Sequence, residues 1–230
     1  MKVGFIGLGI MGRPMAKNLL NAGVELVVSD LNTEAVNELV SLGAEAGTYE
    51  QIGQKCDIIL TILPNGKIVQ DVLFGESGVC KTLTAGKLVC DMSSVTPTES
   101  KTCYSKLKEL GVGFVDAPVS GGEPGAIAGS LAIMCGGDEK DFDALQEIFG
   151  ILGNSSLLIG PSGSGSVTKL ANQIIVNLGI ATVSEALVLA TKAGADPMKV
   201  YKAIRGGLAG SAVLDAKAPM MCARNFVPGG

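Results

Sequence analysis

The run Val3–Ile6 leads straight into Gly7-Leu8-Gly9-Ile10-Met11-Gly12, and helical periodicity from Met11 to Ala22 follows. A G-x-G-x-x-G set between a strand and a helix narrows the folds open to this chain more than any other feature. Gly7 permits a tight turn, Gly9 leaves the backbone bare for a pyrophosphate, and Gly12 lets helix and strand pack closely. The helix N-terminus adds N–H donors and the positive end of its dipole. An acid, Asp30, closes the next β-rich run, Leu26–Ser29, 18 residues beyond Gly12. Its carboxylate is suited to accept from adenosine ribose hydroxyls and to repel a 2′-phosphate, which favours NAD over NADP. The competing reading is a bare strand–helix turn and a solvated Asp30.

The alternation continues. Thr33 to Leu42 is periodic as a helix, Ile58–Leu63 and Leu88–Asp91 read as strands, Pro97 to Leu110 as a helix, and Phe114–Asp116 as a fifth strand. This pattern predicts an α/β fold with a Rossmann-type, mostly parallel, doubly wound sheet. The uninterrupted apolar runs fit strands covered on both faces. A strand at Leu131–Cys135, a helix over 138–152 and a strand at Leu157–Ile159 follow. After Gly160-Pro161-Ser162-Gly163 the pattern changes to one long apolar helix reaching about Ala193, and Asp196-Pro197 opens another with an N-cap and a first-turn proline. The predicted organisation is a dinucleotide-binding domain over 1–160 and a helical domain over 161–230, begun by a long interdomain helix. Residues 226–230 read as a turn that leads nowhere, so the helical part reads as truncated.

Composition removes several classes of chemistry. The 230 residues include no histidine, which excludes Ser-His-Asp and Cys-His nucleophile systems and His-ligated metals. Proton transfer is left to Lys, Tyr, Cys, Asp or Glu. A net charge of −4 argues against a nucleic-acid partner. None of the six cysteines has C-x-x-C spacing, so zinc and dithiol redox sites are not expected; they read as small core residues of a reducing, cytoplasmic compartment. The weakly charged stretch 151–184 carries Lys169, several Asn and Ser and five glycines, a poor membrane span. No membrane partner and no bound metal are expected.

Candidate site residues cluster at strand ends, where parallel sheets take their ligands. Leu63-Pro64-Asn65 and Asp91-Met92-Ser93-Ser94 read either as cofactor contacts or as ordinary turns. In Asp116-Ala117-Pro118-Val119-Ser120-Gly121-Gly122, the Ser120 hydroxyl and the Gly121 and Gly122 N–H groups suit a carboxylate, unless this is only a glycine turn. Lys169 is the lone charge among apolar and small residues near the start of the long helix. Asn172 and Gln173 follow at i+3 and i+4, on its face. With histidine absent, an ammonium there is a natural proton donor to a developing alkoxide and stabilises its charge. Burial would lower its pKa. The alternative is a lysine snorkelling from a helix that buries its stem.

Three separated motifs, Gly4-Phe5-Ile6-Gly7-Leu8-Gly9-Ile10-Met11-Gly12-Arg13-Pro14-Met15-Ala16, the Asp116–Gly122 stretch and Gly163-x-Gly165-x-x-x-Lys169, resemble the β-hydroxyacid dehydrogenase family over the whole chain. Finer stretches, Ser120-Gly121-Gly122-Glu123-Pro124, Lys169-Leu170-Ala171-Asn172-Gln173 and residues 203–211, are similar to members that reduce tartronate semialdehyde more than to those acting on 3-hydroxyisobutyrate. The resemblance implies hydride transfer from NADH to tartronate semialdehyde (2-hydroxy-3-oxopropanoate), giving glycerate. Oxidation of 3-hydroxyisobutyrate and reduction of glyoxylate or succinic semialdehyde are the alternatives within the family. It implies Lys169 as catalytic acid/base, Ser120, Gly121 and Gly122 on the substrate carboxylate, and Asn172 or Gln173 on the substrate or orienting Lys169. Gly7, Leu8, Gly9, Ile10, Met11, Gly12, Asp30, Leu63, Pro64 and Ser94 would contact the cofactor. Family members continue past this C-terminus with helices that carry another cofactor-contacting lysine and much of a dimer surface. The resemblance therefore implies a truncated chain, a homo-oligomer in full-length form and, as a further alternative, a catalytically impaired NAD-binding fragment. A mean hydropathy of +0.41 fits apolar surface that expects a partner.

Overall fold

In the computed structural model, which describes residues 1–226, each apolar run of the first half becomes a parallel strand. Strand β1 (Lys2–Ile6) is followed by α1 (Gly12–Asn21), β2 (Glu25–Ser29), α2 (Thr33–Ser41), the short β3 (Glu45–Ala46), α3 (Tyr49–Lys55), β4 (Ile58–Thr61) and α4 (Gly66–Phe74). The alternation continues through β5 (Leu88–Asp91), α5 (Pro97–Glu109) and β6 (Gly113–Asp116). The sheet order β3-β2-β1-β4-β5-β6 is parallel throughout and reverses direction between β1 and β4, the switch point where such sheets open a crevice.

Beyond β6 come β7 (Val119–Ser120), α6 (Gly122–Ala128), β8 (Leu131–Gly137), α7 (Glu139–Asp143), α8 (Gln146–Leu152) and β9 (Gly153–Gly160). Strand β8 runs antiparallel to β6 and β7 and parallel to β9, so the sheet is mostly, not wholly, parallel. Strand alternation sends successive side chains to opposite faces. Val3 and Phe5 of β1 and Ile58 and Leu60 of β4 join one core with Met15, Leu19 and Phe149. Ile6 and Ile59 join the other with Val69, Val89 and Phe114. Both faces are apolar because helices cover both, as the continuous runs implied.

The chain divides into two compact units, one reaching to Lys169 and the other beginning at Leu170, inside the helix α9 (Ser164–Lys192). In the second unit, Leu187 of α9 packs with Tyr201 of α10 (Pro197–Ile204) and with Leu214 and Ala218 of α11 (Ala212–Cys222). Asp196 caps α10 through the N–H groups of Met198 and Lys199, as its place before Pro197 predicted. Asp215 accepts from the Tyr201 hydroxyl at 3.0 Å and from two Arg205 nitrogens at 3.1 Å. Ile174, Ile175, Leu178 and Leu189 of α9 are exposed. By length and composition, α9 is the one helix among the described residues that passes for a bilayer span.

Several elements differ from the sequence reading. The single helix over 138–152 breaks at Ala144 and Leu145 into α7 and α8, while Leu145, Ile148 and Phe149 keep the helical spacing and join one core. Helices α3, α4 and α11 were not expected. Their starts carry readable signals: Thr48 and Gln51 form a capping box, Asn65 accepts from the Ile68 N–H at 3.0 Å, and Ser211 accepts from that of Leu214 at 3.0 Å. The expected turn over 226–230 lies, beyond Phe226, outside the described residues.

Four cysteines, Cys56, Cys90, Cys103 and Cys135, are buried, and all six are free thiols. Burial pushes Cys56 up to about 11 and Cys103 and Cys135 up to about 12. A colorimetric thiol titration at neutral pH is therefore expected to consume at most two thiols in the native protein, those of Cys80 and Cys222. The other four should react only in denaturant; fast native labelling of more than two would contradict this packing.

Candidate active site

The carboxyl ends of the parallel strands form one row. Ile6 pairs with Ser29 on one side and Thr61 on the other, Thr61 with Asp91, and Asp91 with Asp116. The glycine loop, Asp30, the Leu63-Pro64 turn, Ser94 and the Ser120-Gly121-Gly122 segment all lie on the chain just beyond this row.

In the glycine loop each glycine does something different. Gly7 has φ +101°, and a Cβ there would overlap the Ile62 carbonyl oxygen. A Cβ on Gly12 would overlap the Gly7 carbonyl oxygen and lie 2.8 Å from the Ile62 side chain. Around Gly9 nothing lies within 4 Å of where a Cβ would stand. Gly7 and Gly12 thus satisfy the fold, whereas bareness at Gly9 serves no contact within the chain and fits the approach of a phosphate. Helix α1 has no side-chain cap and no acid in its first turn, so its positive end suits an anion. Leu8 is buried, Met11 half-buried and Ile10 exposed. These features fit a dinucleotide.

Asp30 ties this loop to β2. One carboxylate oxygen accepts from the Leu8 N–H at 2.5 Å and the other from the Asn32 N–H at 2.7 Å. A carboxylate has about four lone-pair sites, so capacity for ribose hydroxyls is left over. Asp30 also borders an open groove of ≈ 720 Å³ with Leu31, Tyr49, Glu50, Glu76 and Lys81, within the size range of ligand sites.

A buried polar cluster joins β4 to β5. Asp91 accepts from the Thr61 hydroxyl at 2.8 Å and from the Ser93 hydroxyl at 2.5 Å, and the Ser93 oxygen accepts from the Leu63 N–H at 2.8 Å. Burial pushes the Asp91 carboxyl up, while its bonds from Ser93 and Thr61 pull it down. The cluster holds the turn that presents Leu63 and Pro64. Sequence reasoning selected Ser94, which is exposed; the bonded hydroxyl is that of Ser93. The alternating polar ends of two adjacent apolar strands, Thr61 and Asp91, were the signal for this cluster.

Further along, β7 ends at Ser120, and Gly121 (φ +142°) and Gly122 (φ +61°) take left-handed conformations as α6 begins. Asn18 of α1 donates to the Ala126 carbonyl of α6 at 2.8 Å, linking the two helices. The Lys169 Nζ donates to the Val119 carbonyl at 2.7 Å, which sets the amine beside Ser120 along the chain. Lys169 is half-buried, and burial lowers its pKa. Asp116, at the head of the same motif, accepts from the Gly163 N–H at 2.6 Å and the Ser166 N–H at 2.9 Å. The structure therefore brings the Lys169 amine to the carbonyl that precedes Ser120. Asn172 and Gln173 belong to the second unit, where the Asn172 amide donates to the Gln173 side-chain oxygen at 2.9 Å.

Residues 2–160 match the sequence family described as the NAD binding domain of 6-phosphogluconate dehydrogenase, and residues 163–230 the one described as NAD-binding of NADP-dependent 3-hydroxyisobutyrate dehydrogenase. Over all 230 residues the chain is 49% identical to 2-hydroxy-3-oxopropionate reductase of Escherichia coli K12 and covers 78% of it. Over 201 residues, 87% of this chain and 60% of the relative, it is 37% identical to the mitochondrial 3-hydroxyisobutyrate dehydrogenase of Rattus norvegicus. Among solved structures, 3-hydroxyisobutyrate dehydrogenase from Salmonella typhimurium superposes with a TM-score of 0.89 at 27% identity, over 99% of this chain and 80% of that one.

The glycine loop generates a paired expectation. Gly9→Ala should leave the melting temperature unchanged and weaken NADH binding at least tenfold, since the added methyl occupies only ligand space. Gly12→Ala should lower the unfolding free energy by ~3 kcal/mol, because helix and strand must separate. Denaturant melts and NADH fluorescence titrations check both; unimpaired NADH binding by Gly9→Ala would contradict the cradle.

Proposed function

The chain belongs to the β-hydroxyacid dehydrogenase family, and on that premise we propose that it reduces tartronate semialdehyde to glycerate with NADH. One observation carries the chemistry: the lone ammonium of Lys169, half-buried, stands 2.7 Å from the Val119 carbonyl, one residue before the Ser120–Gly122 cradle. When bound, the nicotinamide cofactor supplies the hydride. The residues of this chain bind, orient and protonate. Gly9 and the head of α1 hold the pyrophosphate, Asp30 the adenosine ribose, and Leu63, Pro64 and Ser94 border the cofactor. Ser120, Gly121 and Gly122 hold the substrate carboxylate, and Asn172 or Gln173 contacts the substrate or Lys169. As negative charge develops on the aldehyde oxygen, Lys169 donates its proton to it and leaves as a neutral amine, a form that burial favours. The charge on the ammonium lowers the barrier before the proton moves.

The choice of substrate rests on the 49% identity to an enzyme named for 2-hydroxy-3-oxopropionate. The choice of NADH rests on the groove beside Asp30, where Asp30, Glu50 and Glu76 outnumber Lys81; a 2′-phosphate there meets net negative charge. A second substrate, 3-hydroxyisobutyrate, is favoured by the 37% relative that bears that name. The unpaired cysteines fit a reducing, cytoplasmic setting, and the exposed apolar residues of α9 fit a homo-oligomer.

Steady-state assays should give a higher kcat/KM for tartronate semialdehyde than for glyoxylate, succinic semialdehyde or, in the reverse direction, 3-hydroxyisobutyrate, and a higher value with NADH than with NADPH. Lys169→Ala should reduce turnover by ~10²–10⁴ while NADH binding stays within about twofold. Reduction needs the protonated amine, so its rate should fall as pH rises through the lowered Lys169 pKa, below the usual 10.5. That basic limb should be missing from Lys169→Ala. A fully active alanine variant would remove the proton-donor assignment.

A further inference from the structure

We propose that Asp116 is a positioning residue, a buried carboxylate that clamps the first turn of α9 to the end of β6 and thereby sets where the Lys169 amine stands. The inference rests on Lys169 being the proton donor. Asp116 opens the motif that ends in the proposed substrate cradle, yet its carboxylate is bonded to the start of α9. Both its oxygens accept from the helix start: Oδ1 from the Gly163 N–H at 2.6 Å and, at 3.4 Å, the Ser162 hydroxyl, and Oδ2 from the Ser166 N–H at 2.9 Å. Helix α9 has no acid in its own first turn. Asp116 supplies that negative charge from a neighbouring strand, opposite the positive end of the helix.

The approach is as close as backbones allow. A Cβ on Gly165 would overlap the Met134 carbonyl oxygen and lie 2.5 Å from that of Asp116, and one on Gly136 would lie 2.7 Å from the Gly165 nitrogen. Ser100 and Ser166 share a buried hydroxyl–hydroxyl bond at 2.9 Å. Lys169 follows Ser166 by three residues, less than one turn, so any rotation of the clamped turn swings its amine. The other end of that amine is bonded to Val119, three residues beyond Asp116. Strand, carboxylate, helix turn and lysine therefore close a ring.

The clamp is sensitive to protonation. The titratable groups around Asp116 include the Cys90 thiol of β5 and the Cys135 thiol of β8, both kept neutral by burial, and the buried Asp91 carboxyl, its register partner on β5. Lys101 of α5 runs its stem against Gly163. Among these neighbours burial pushes Asp116 up to about 6, against the pull of its N–H donors. A proton on one oxygen turns an acceptor into a donor and releases one of the helix N–H groups.

The test measures kcat and KM against pH for the wild type, Asp116→Asn and Lys169→Ala, with NADH binding followed by fluorescence. Asp116→Asn keeps the shape but fixes one acceptor as a donor. Its kcat should fall about tenfold or more, since small displacements near reacting atoms are costly, with KM and NADH binding within about threefold. Wild-type kcat should drop below about pH 6, and Asp116→Asn should lack that acid limb. Wild-type kcat and an intact acid limb in Asp116→Asn would overturn the clamp. Should that variant fail to fold, the ¹³C titration of the Lys169 ε-carbon in the wild type decides: an inflection near pH 6 supports the clamp and a curve without one overturns it. An active Lys169→Ala enzyme defeats the proton-donor reading instead, and the same Lys169 titration still decides whether Asp116 governs its surroundings.

Discussion

The structure depends on one backbone-to-backbone contact, the first turn of α9 pressed against the ends of β6 and β8. It is possible only because Gly136 and Gly165 carry no side chain. From it follow the reach of the Asp116 carboxylate to two helix N–H groups and the approach of the Lys169 amine to Val119. Packing this tight has little compliance, since interiors are close-packed and transmit displacement rather than absorbing it. The Gly-x-Gly before Lys169 has therefore a mechanical origin, while the glycine loop after β1 combines mechanics at Gly7 and Gly12 with ligand space at Gly9.

Polar groups buried at strand ends complete the scaffold. Thr61, Asp91 and Ser93 on one side and Asp116, Ser162 and Ser166 on the other are each satisfied by neighbours across two elements. An unsatisfied carboxylate at such depth is expensive, and a satisfied one fixes a unique geometry. The two clusters differ in what they hold. Asp91 holds, through Ser93, the turn at Leu63 and Pro64, and Asp116 holds the start of the helix that carries Lys169.

Much of this was legible before any coordinates. Strands β1, β2, β4, β5 and β6 follow from apolar runs, and the Gly7–Gly12 loop and Asp30 from spacing, because local sequence determines local structure there. Lys169 stood out because nothing else near it is charged. What escaped was non-local. No spacing rule joins Asp116 to Gly163 and Ser166, some fifty residues on, or Thr61 to Asp91. The reversal at β8 and the break at Leu145 carry no local signal either, and α11 forms despite Pro219, against propensity. The inward bonds of Ser93 were not legible either, because sequence cannot show which of two adjacent serines faces the interior.

The row from Ser29 through Ile6, Thr61 and Asp91 to Asp116 is in unbroken register. Slipping one strand by a residue would move its terminal loop by ~3.3 Å, whereas an error of ~1 Å at reacting atoms already costs about a hundredfold in rate. Alignment of the loops along this edge is thus inherited from main-chain ladders, which are indifferent to side-chain identity. Loops grafted onto that ruler can drift in sequence without disturbing the spacing between them.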